Sequence, residues 1–184
     1  MYRSTTLPGT GPASPSPTTV ARGLLAALCL APVLAWAGEP LLVEKSATFD
    51  ASPERIWQLT GSFDGLAAWH PAVTKVEIIA GHNNRKGAKR LVTLKDGATI
   101  TEELLTHQPA TKTLRYRILA SPLPVKDYVS TYHVAAEGKG SRVTWSSRFQ
   151  ADPAAKVDDA KAKEIVGGIY DAGFKGIQDK LAQP

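Results

Sequence analysis

The sequence predicts one α+β domain, in which a curved antiparallel sheet of six to seven strands packs against a long C-terminal helix. Three observations support this fold class. Strand-like segments follow one another with short turns between residues 74 and 150, two short helical segments follow an earlier strand, and a helical pattern runs from Asp152 to about Leu181. Helices that are segregated from a run of antiparallel strands are typical of α+β domains.

The first strand and the two short helices are predicted from local signals. Residues Leu41–Phe49 alternate well enough for a strand. Ser52 is a suitable N-cap and a proline follows it at the first helical position, so we expect a helix over Pro53–Thr60. Residues Phe63–Trp69 are predicted to form a second short helix, which Pro71 ends.

The rest of the chain is predicted to form a strand meander and one long helix. Asp96-Gly97 is the preferred residue pair for a two-residue type I′ hairpin turn. Asp152-Pro153 is expected to open the C-terminal helix. The remaining strands are expected at residues 74–80, 89–95, 98–106, 113–120, 126–136 and 142–150.

Residues 1–37 have the features of a secretory signal peptide. A basic flank ending at Arg22 precedes the apolar run Gly23–Ala37, which closes on the small-residue site Ala35-Trp36-Ala37. A transmembrane anchor is the less favoured alternative, because a spanning helix needs roughly 20 apolar residues. We therefore expect cleavage after Ala37, a single domain over residues 38–184, a periplasmic location and no stable membrane anchor after cleavage.

Composition excludes several classes of function. Cys29 lies within the predicted signal peptide after Leu28, so lipidation, disulfides and cysteine-based metal sites are not expected. The net charge of +5 comes from scattered basic residues, which gives no indication of nucleic-acid binding. There is no phosphate-binding loop, and no metal-ligand spacing relates His70, His82, His107 and His133. We predict no cofactor, no metal and, by default, a monomer.

Period-two alternation predicts which side chains face the inside of the sheet. A two-residue turn at Asp96-Gly97 would place Lys89 and Leu91 on the inner face with Glu102, where Glu102 and Lys89 could pair. The inner face is then expected to carry Leu91, Ile100, Leu104, Leu114, Tyr116, Ile118, Tyr128, Ser130, Tyr132, Val134, Val143, Trp145, Ser147 and Phe149. A carboxylate in an apolar interior is costly without a partner, so this mixed face indicates either an ion pair or a partly wet cavity.

Two interpretations of this inner face remain open. Gly167, Gly168, Gly173 and Gly176 in the predicted helix each cost about 0.5–1 kcal/mol relative to alanine, which indicates close backbone approach or space left for a ligand. The alternative is an ordinary core, in which buried tyrosines reach nearby hydrogen-bond partners and a register slip leaves Glu102 in solvent.

Longer motifs resemble a known superfamily. The segments LAAWHPAV, TLKDGATITEEL, SPLPVKDY and GIYDAGFKGIQDKL are similar to those of the START/Bet v 1-like (SRPBCC, polyketide cyclase/dehydrase-like) proteins, and within them to the MxaD-like periplasmic proteins associated with methanol oxidation. The resemblance covers nearly all of residues 41–183. It implies a helix-grip fold, in which the curved sheet holds the long helix with a deep pocket between them.

The resemblance also implies where a ligand would bind. Tyr128 and Ser130 match positions that face the ligand in related receptors, and Trp69-His70-Pro71 would form a rigid corner at the pocket mouth. The candidate gate residues are Pro71, Pro122, Leu123 and Pro124. The candidate pocket residues are Trp69, His70, Lys89, Leu91, Ile100, Glu102, Leu104, Tyr116, Ile118, Tyr128, Ser130, Tyr132, Trp145 and Ile169.

Three classes of function follow from these observations. The protein could bind a small apolar molecule or lipid in its pocket, or act as an accessory factor that docks a periplasmic dehydrogenase or cytochrome. It could instead be a cyclase- or dehydratase-like enzyme that uses His70, Glu102, Tyr116 and Tyr128 as acid/base groups. We predict a non-catalytic ligand-binding or accessory protein, with the enzyme as the alternative.

Overall fold

The computed structural model describes residues 39–183. The predicted signal peptide, residues 1–37, lies outside this range. Two 3-10 turns, Gly65–Ala68 and Pro153–Ala155, accompany the regular elements. These elements are, in chain order, β1 (Leu41–Phe49), α1 (Pro53–Thr60), β2 (Val73–Ala80), β3 (Lys89–Leu94), β4 (Thr99–Gln108), β5 (Thr113–Ala120), β6 (Val125–Glu137), β7 (Gly140–Ala151) and α2 (Asp159–Leu181).

The seven strands form one antiparallel sheet in the order β1-β7-β6-β5-β4-β3-β2. Register shifts interrupt the β2–β3, β4–β5 and β6–β7 pairs, and such bulges bend a sheet and increase its twist. Helix α2 packs against β1, β7 and α1. The core between the sheet and the helices includes the fully buried side chains of Ile56, Phe63, Leu104, Val143 and Ile177. The predicted fold class is confirmed.

Local capping explains where α1 begins and ends. The Ser52 hydroxyl accepts a hydrogen bond from the backbone N–H of Arg55 at 3.2 Å, and Pro53 occupies the first turn. Gly61 follows the last helical residue, and its N–H donates to the Trp57 carbonyl. The bounds predicted from the sequence are therefore those observed. Neither helix of the described residues is long and apolar enough to cross a membrane.

Two helical predictions need correction. The second short helix is only the 3-10 turn Gly65–Ala68, since the chain turns at Trp69. The long helix begins at Asp159 and not at Asp152. The Asp152 side chain caps a separate 3-10 turn, Lys156 then adopts a left-handed conformation (φ 54°), and Asp158 caps the true helix through the Lys161 N–H. The side chains of Asp152 and Asp158 each accept a hydrogen bond from a backbone N–H, and each starts a separate helical segment. The predicted helix is therefore split into two parts.

The predicted register of the β3–β4 hairpin is wrong by one residue. The Leu94 N–H donates to the Ala98 carbonyl, so three residues connect the strands where two were expected. Arg90 therefore lies opposite Glu102, while Leu91 lies opposite Thr101. Because strand side chains alternate, Lys89 and Leu91 lie on the outer face and cannot line an inner pocket. The inward orientation of Glu102 is correct, but its partner is Arg90 and not Lys89.

Candidate ligand cavity

A cavity of about 190 Å³ lies between the inner face of the sheet, the segment 66–73 and helix α2. Its wall is mostly aliphatic and aromatic, and only a few polar groups reach it. The lining residues are Leu66, His70, Ala72, Val73, Val92, Leu94, Ile100, Glu102, Tyr116, Ile118, Leu123, Tyr128, Trp145, Ile165, Ile169 and Tyr170. A concave, mainly apolar site with a few placed polar groups is typical of small-molecule binding.

The structure brings many of the candidate residues to this wall and leaves others elsewhere. The candidates on the wall are His70, Ile100, Glu102, Tyr116, Ile118, Leu123, Tyr128, Trp145 and Ile169. The candidates that are buried but do not line it are Trp69, Leu104, Pro124, Ser130 and Tyr132. Pro71 and Pro122 are exposed, and Lys89 and Leu91 face the other side of the sheet.

Sequence reasoning missed several wall residues for identifiable reasons. A register that turns Lys89 and Leu91 inward leaves Val92 and Leu94 on the outer face, whereas the observed register places them on the inner face with Arg90. Ile165 and Ile169 are four residues apart on α2 and so share one helix face, a spacing that could have identified Ile165. The other missed wall residues are Leu66, Ala72, Val73 and Tyr170.

Buried hydroxyl groups form a connected network beside the cavity. The indole N–H of Trp145 donates to Ser130 Oγ at 3.0 Å and to Tyr116 Oη at 3.1 Å. The Tyr128 and Tyr170 hydroxyls are hydrogen-bonded to each other at 2.6 Å. Burial raises the pKa values of all three tyrosines above the ordinary value of 10. These phenols therefore stay protonated at neutral pH and act as neutral hydrogen-bonding groups.

An ion pair lies at the polar end of the wall. Arg90 Nε donates to Glu102 Oε2 at 2.6 Å, and both side chains are almost fully buried. The Arg90 guanidinium also donates to the Phe63 carbonyl and lies over the Phe63 and Tyr116 rings, with 4.2 and 5.3 Å to their centroids. The pair satisfies the charge of Glu102 internally, which explains how a carboxylate is accommodated in this interior.

His70 is held in one neutral tautomer. The Ala72 N–H donates to His70 Nδ1 at 3.3 Å, so this nitrogen is an acceptor. Nε2 therefore carries the proton and donates to the Ile169 carbonyl at 3.0 Å. Burial lowers the pKa of His70 below its ordinary value of 6.5. Nε2 thus fixes the corner to helix α2 and Nδ1 fixes the turn at Ala72, so neither ring nitrogen is left for acid/base chemistry.

Glycines on α2 allow the Trp69-His70-Pro71 corner to approach the helix closely. A Cβ at Gly176 would collide with the Trp69 carbonyl oxygen, and one at Gly173 would lie 2.8 Å from Trp145 Cζ3. The Trp69 ring is buried, with its centroid 5.8 Å from that of Trp145. The corner therefore contributes Trp69 to the core and His70 to the cavity wall. Gly168, in contrast, is exposed, and nothing lies within 4 Å of its added Cβ.

Metal binding finds no support in this part of the chain. Within residues 39–183, no group of three histidine, cysteine or acidic side chains is placed to hold a metal ion.

The chain matches the family described as polyketide cyclase/dehydrase and lipid transport over residues 40–182. It belongs to this family. The protein XoxI from Bacillus cereus has a similar structure, with 30% sequence identity, a TM-score of 0.68, and coverage of 76% of this chain and 94% of that chain. No curated protein matches the chain.

More distant proteins share the fold alone. Ara h 8.0201 is 21% identical with a TM-score of 0.64, and the match covers 77% of this chain and 97% of that chain. The major latex-like protein 151 of Panax ginseng is 16% identical with a TM-score of 0.65, and the match covers 79% of this chain and all of that chain. The chain therefore has the Bet v 1-like helix-grip fold, and its family is one of ligand-binding proteins.

Proposed function

We propose that the protein binds a small apolar molecule in the cavity between the sheet and helix α2, and that it does so in the periplasm without catalysing a reaction. The observation that carries this proposal is the cavity of about 190 Å³ with its aliphatic and aromatic wall. Removing apolar surface from water would drive binding, since each buried CH₂ group contributes about 0.8 kcal/mol. The periplasmic location rests on the sequence features of residues 1–37.

The geometry favours binding over catalysis. A general acid or base must have a proton or lone pair available to the substrate. Both nitrogens of His70 are engaged by backbone groups. Glu102 Oε2 is engaged by Arg90, so that Oε1 alone of the two carboxylate oxygens keeps free lone pairs. The tyrosine phenols have raised pKa values, so they are poor bases at neutral pH.

Native mass spectrometry tests the binding proposal directly. The protein is purified from a periplasmic extract without refolding and is measured with and without mild activation in the gas phase. A reproducible extra mass that leaves on activation is the expected result. Protein at its calculated mass, combined with no binding of added toluene by NMR titration, would contradict the proposal.

A second candidate function is that of an accessory factor for a periplasmic dehydrogenase or its cytochrome. The resemblance of LAAWHPAV, SPLPVKDY and GIYDAGFKGIQDKL to MxaD-like segments favours it. On the outer face, a depression lined by Leu42, Arg115, Arg148, Glu44 and Asp127 offers apolar contacts and charges of both signs to a partner. Co-purification of a quinoprotein dehydrogenase or a cytochrome with the tagged protein would support this role. Its reproducible absence from cells that express such an enzyme would contradict it.

A further inference from the structure

The cavity presents one spare hydrogen-bond acceptor, on Glu102. Its Oε2 atom accepts from Arg90 Nε, while Oε1 has no hydrogen-bond partner among the described residues. Glu102 is 6% exposed, and it is the single carboxylate on the cavity wall. Oε1 keeps some exposure to the cavity, so a ligand can reach it, and a hydrogen bond to a charged acceptor is stronger than one between neutral groups.

A donor lies beside this acceptor, on Tyr116. Its oxygen accepts from the Trp145 indole, and the Ser130 hydroxyl is the nearby group to which its own O–H can donate when no ligand is present. In the β4–β5 pair, Tyr116 lies opposite Leu104 and Glu102 lies opposite Ile118. Glu102 and Tyr116 are therefore diagonal neighbours on the same face of the sheet, close enough for one ligand group to contact both.

The charges around this end of the cavity select against an ionised ligand. An anion would approach the Glu102 carboxylate, and the Arg90 fork is already bonded to Glu102 and to the Phe63 carbonyl. A cation would have to leave water for a mainly apolar cavity. The carboxylate on the cavity wall does not compensate for this cost, because Arg90 already balances its charge. An uncharged group that can both donate and accept, such as a hydroxyl, satisfies both positions.

The volume limits the size of the ligand. An apolar cavity of roughly 150 Å³ is known to bind benzene, whereas drug-sized ligands occupy roughly 300–1,000 Å³. At about 190 Å³, this cavity has room for a single substituted ring or a short chain. A sterol or a long acyl chain would not be enclosed.

We propose that the ligand is an uncharged alcohol or phenol of about one ring in size, whose hydroxyl donates to Glu102 Oε1 and accepts from the Tyr116 O–H. This inference rests on the proposed function, because it specifies the ligand of the same cavity. Among the wall residues, the tyrosine and tryptophan rings contact the ring of the ligand, while the aliphatic side chains surround the rest.

Three probes of similar size test the inference on the full chain. Toluene, p-cresol and benzoate are titrated separately at pH 7, with binding followed by NMR shifts of the cavity residues. The hydrogen bonds of the hydroxyl should make p-cresol bind about tenfold tighter than toluene. Benzoate should bind at least about tenfold more weakly than p-cresol, because its charge meets Glu102.

The variant Tyr116→Phe assigns the preference to the proposed pair. It removes the Tyr116 donor, while the Trp145 indole keeps its hydrogen bond to Ser130. The preference for p-cresol over toluene, taken as the ratio of the two affinities in the same variant, should fall to about threefold or less. If p-cresol and toluene bind wild-type protein equally, or benzoate binds best, the inference fails while the cavity function stands. If none of the three binds, the proposed function itself fails. The wild-type series decides even where the variant does not fold.

Discussion

Arg90 and Glu102 illustrate how single residues determine the polar end of the site. Both are buried at a place where an unpaired charge would be expensive. Replacing Arg90 with methionine should therefore lower the free energy of unfolding by about 3–5 kcal/mol, because Glu102 is left without its partner. The double variant Arg90→Met/Glu102→Leu should lie within about 2 kcal/mol of wild type, since it removes both charges and leaves mainly the Phe63 carbonyl unsatisfied.

Urea unfolding followed by tryptophan fluorescence measures this cycle, and the chain contains a matched control. Arg117 and Glu103 form an Arg–Glu pair on the outer face of β4 and β5, at 2.7 Å and partly exposed. Arg117→Met should cost less than about 1 kcal/mol. A double variant at the buried pair that is as unstable as the sum of its single variants would contradict the account.

At this scale the sequence predicted the site only in part. Tyr116, Tyr128 and Trp145 face inward as period-two alternation predicts, although register shifts interrupt the β4–β5 and β6–β7 pairs beside Tyr116 and Tyr128. Lys89 and Leu91 were misplaced because one extra residue in the turn reverses every side chain of β3. Asp-Gly favours a two-residue turn locally, and the observed three-residue connection instead buries Arg90 and Val92 and exposes Lys95. Packing of the β3 side chains determines which connection forms, and the Asp-Gly pair carries no information about that packing.

Among the elements, α2 depends most on small residues. At Gly176 an added methyl group would meet the backbone of the Trp69-His70-Pro71 corner and the Pro71 ring at 2.9 Å. We expect Gly176→Ala to destabilise the fold by about 1–3 kcal/mol, because the helix and the corner must move apart. Gly168→Ala is the control, since its site is exposed and open, and it should stabilise the fold by about 0.5–1 kcal/mol.

Thermal and urea unfolding of the two alanine variants distinguish close approach from a general weakness of the helix. Equal effects of both substitutions would mean that helix propensity alone determines the outcome. The sequence indicated close approach or empty space for these glycines, without separating the two. The structure assigns Gly173 and Gly176 to close approach and leaves Gly168 with neither role.

Element bounds were predicted best where capping signals agree with the hydrophobic pattern. Ser52, Pro53 and Gly61 all act on α1, and its bounds are correct. At the start of α2 two aspartates offer competing caps, Asp152 and Asp158, and the sequence alone favoured the first. The left-handed Lys156 lies between them, a conformation that no pattern in this segment indicates.

For the whole molecule, the question left open by the sequence was whether the inner face is a plain core or a cavity. The two differ in how they respond to added volume. A closely packed core loses about 1–3 kcal/mol when a larger side chain is forced into it. A ligand cavity accepts a larger side chain without this loss of stability. Substitutions that stabilise a functional site commonly reduce its function. Ile169 is suitable for this comparison, because it is half-buried on α2 and lines the cavity.

Ile169→Phe should therefore leave the free energy of unfolding within about 1 kcal/mol of wild type and weaken toluene binding by at least about tenfold. Its backbone carbonyl still accepts from His70, so the corner keeps its attachment to the helix. Ile79→Phe is the matched control, at an exposed position on the edge strand β2, and should change neither property. Urea unfolding and NMR titration provide both readouts. Strong destabilisation by Ile169→Phe would favour the plain core, and unchanged toluene affinity would place the binding site elsewhere on the molecule.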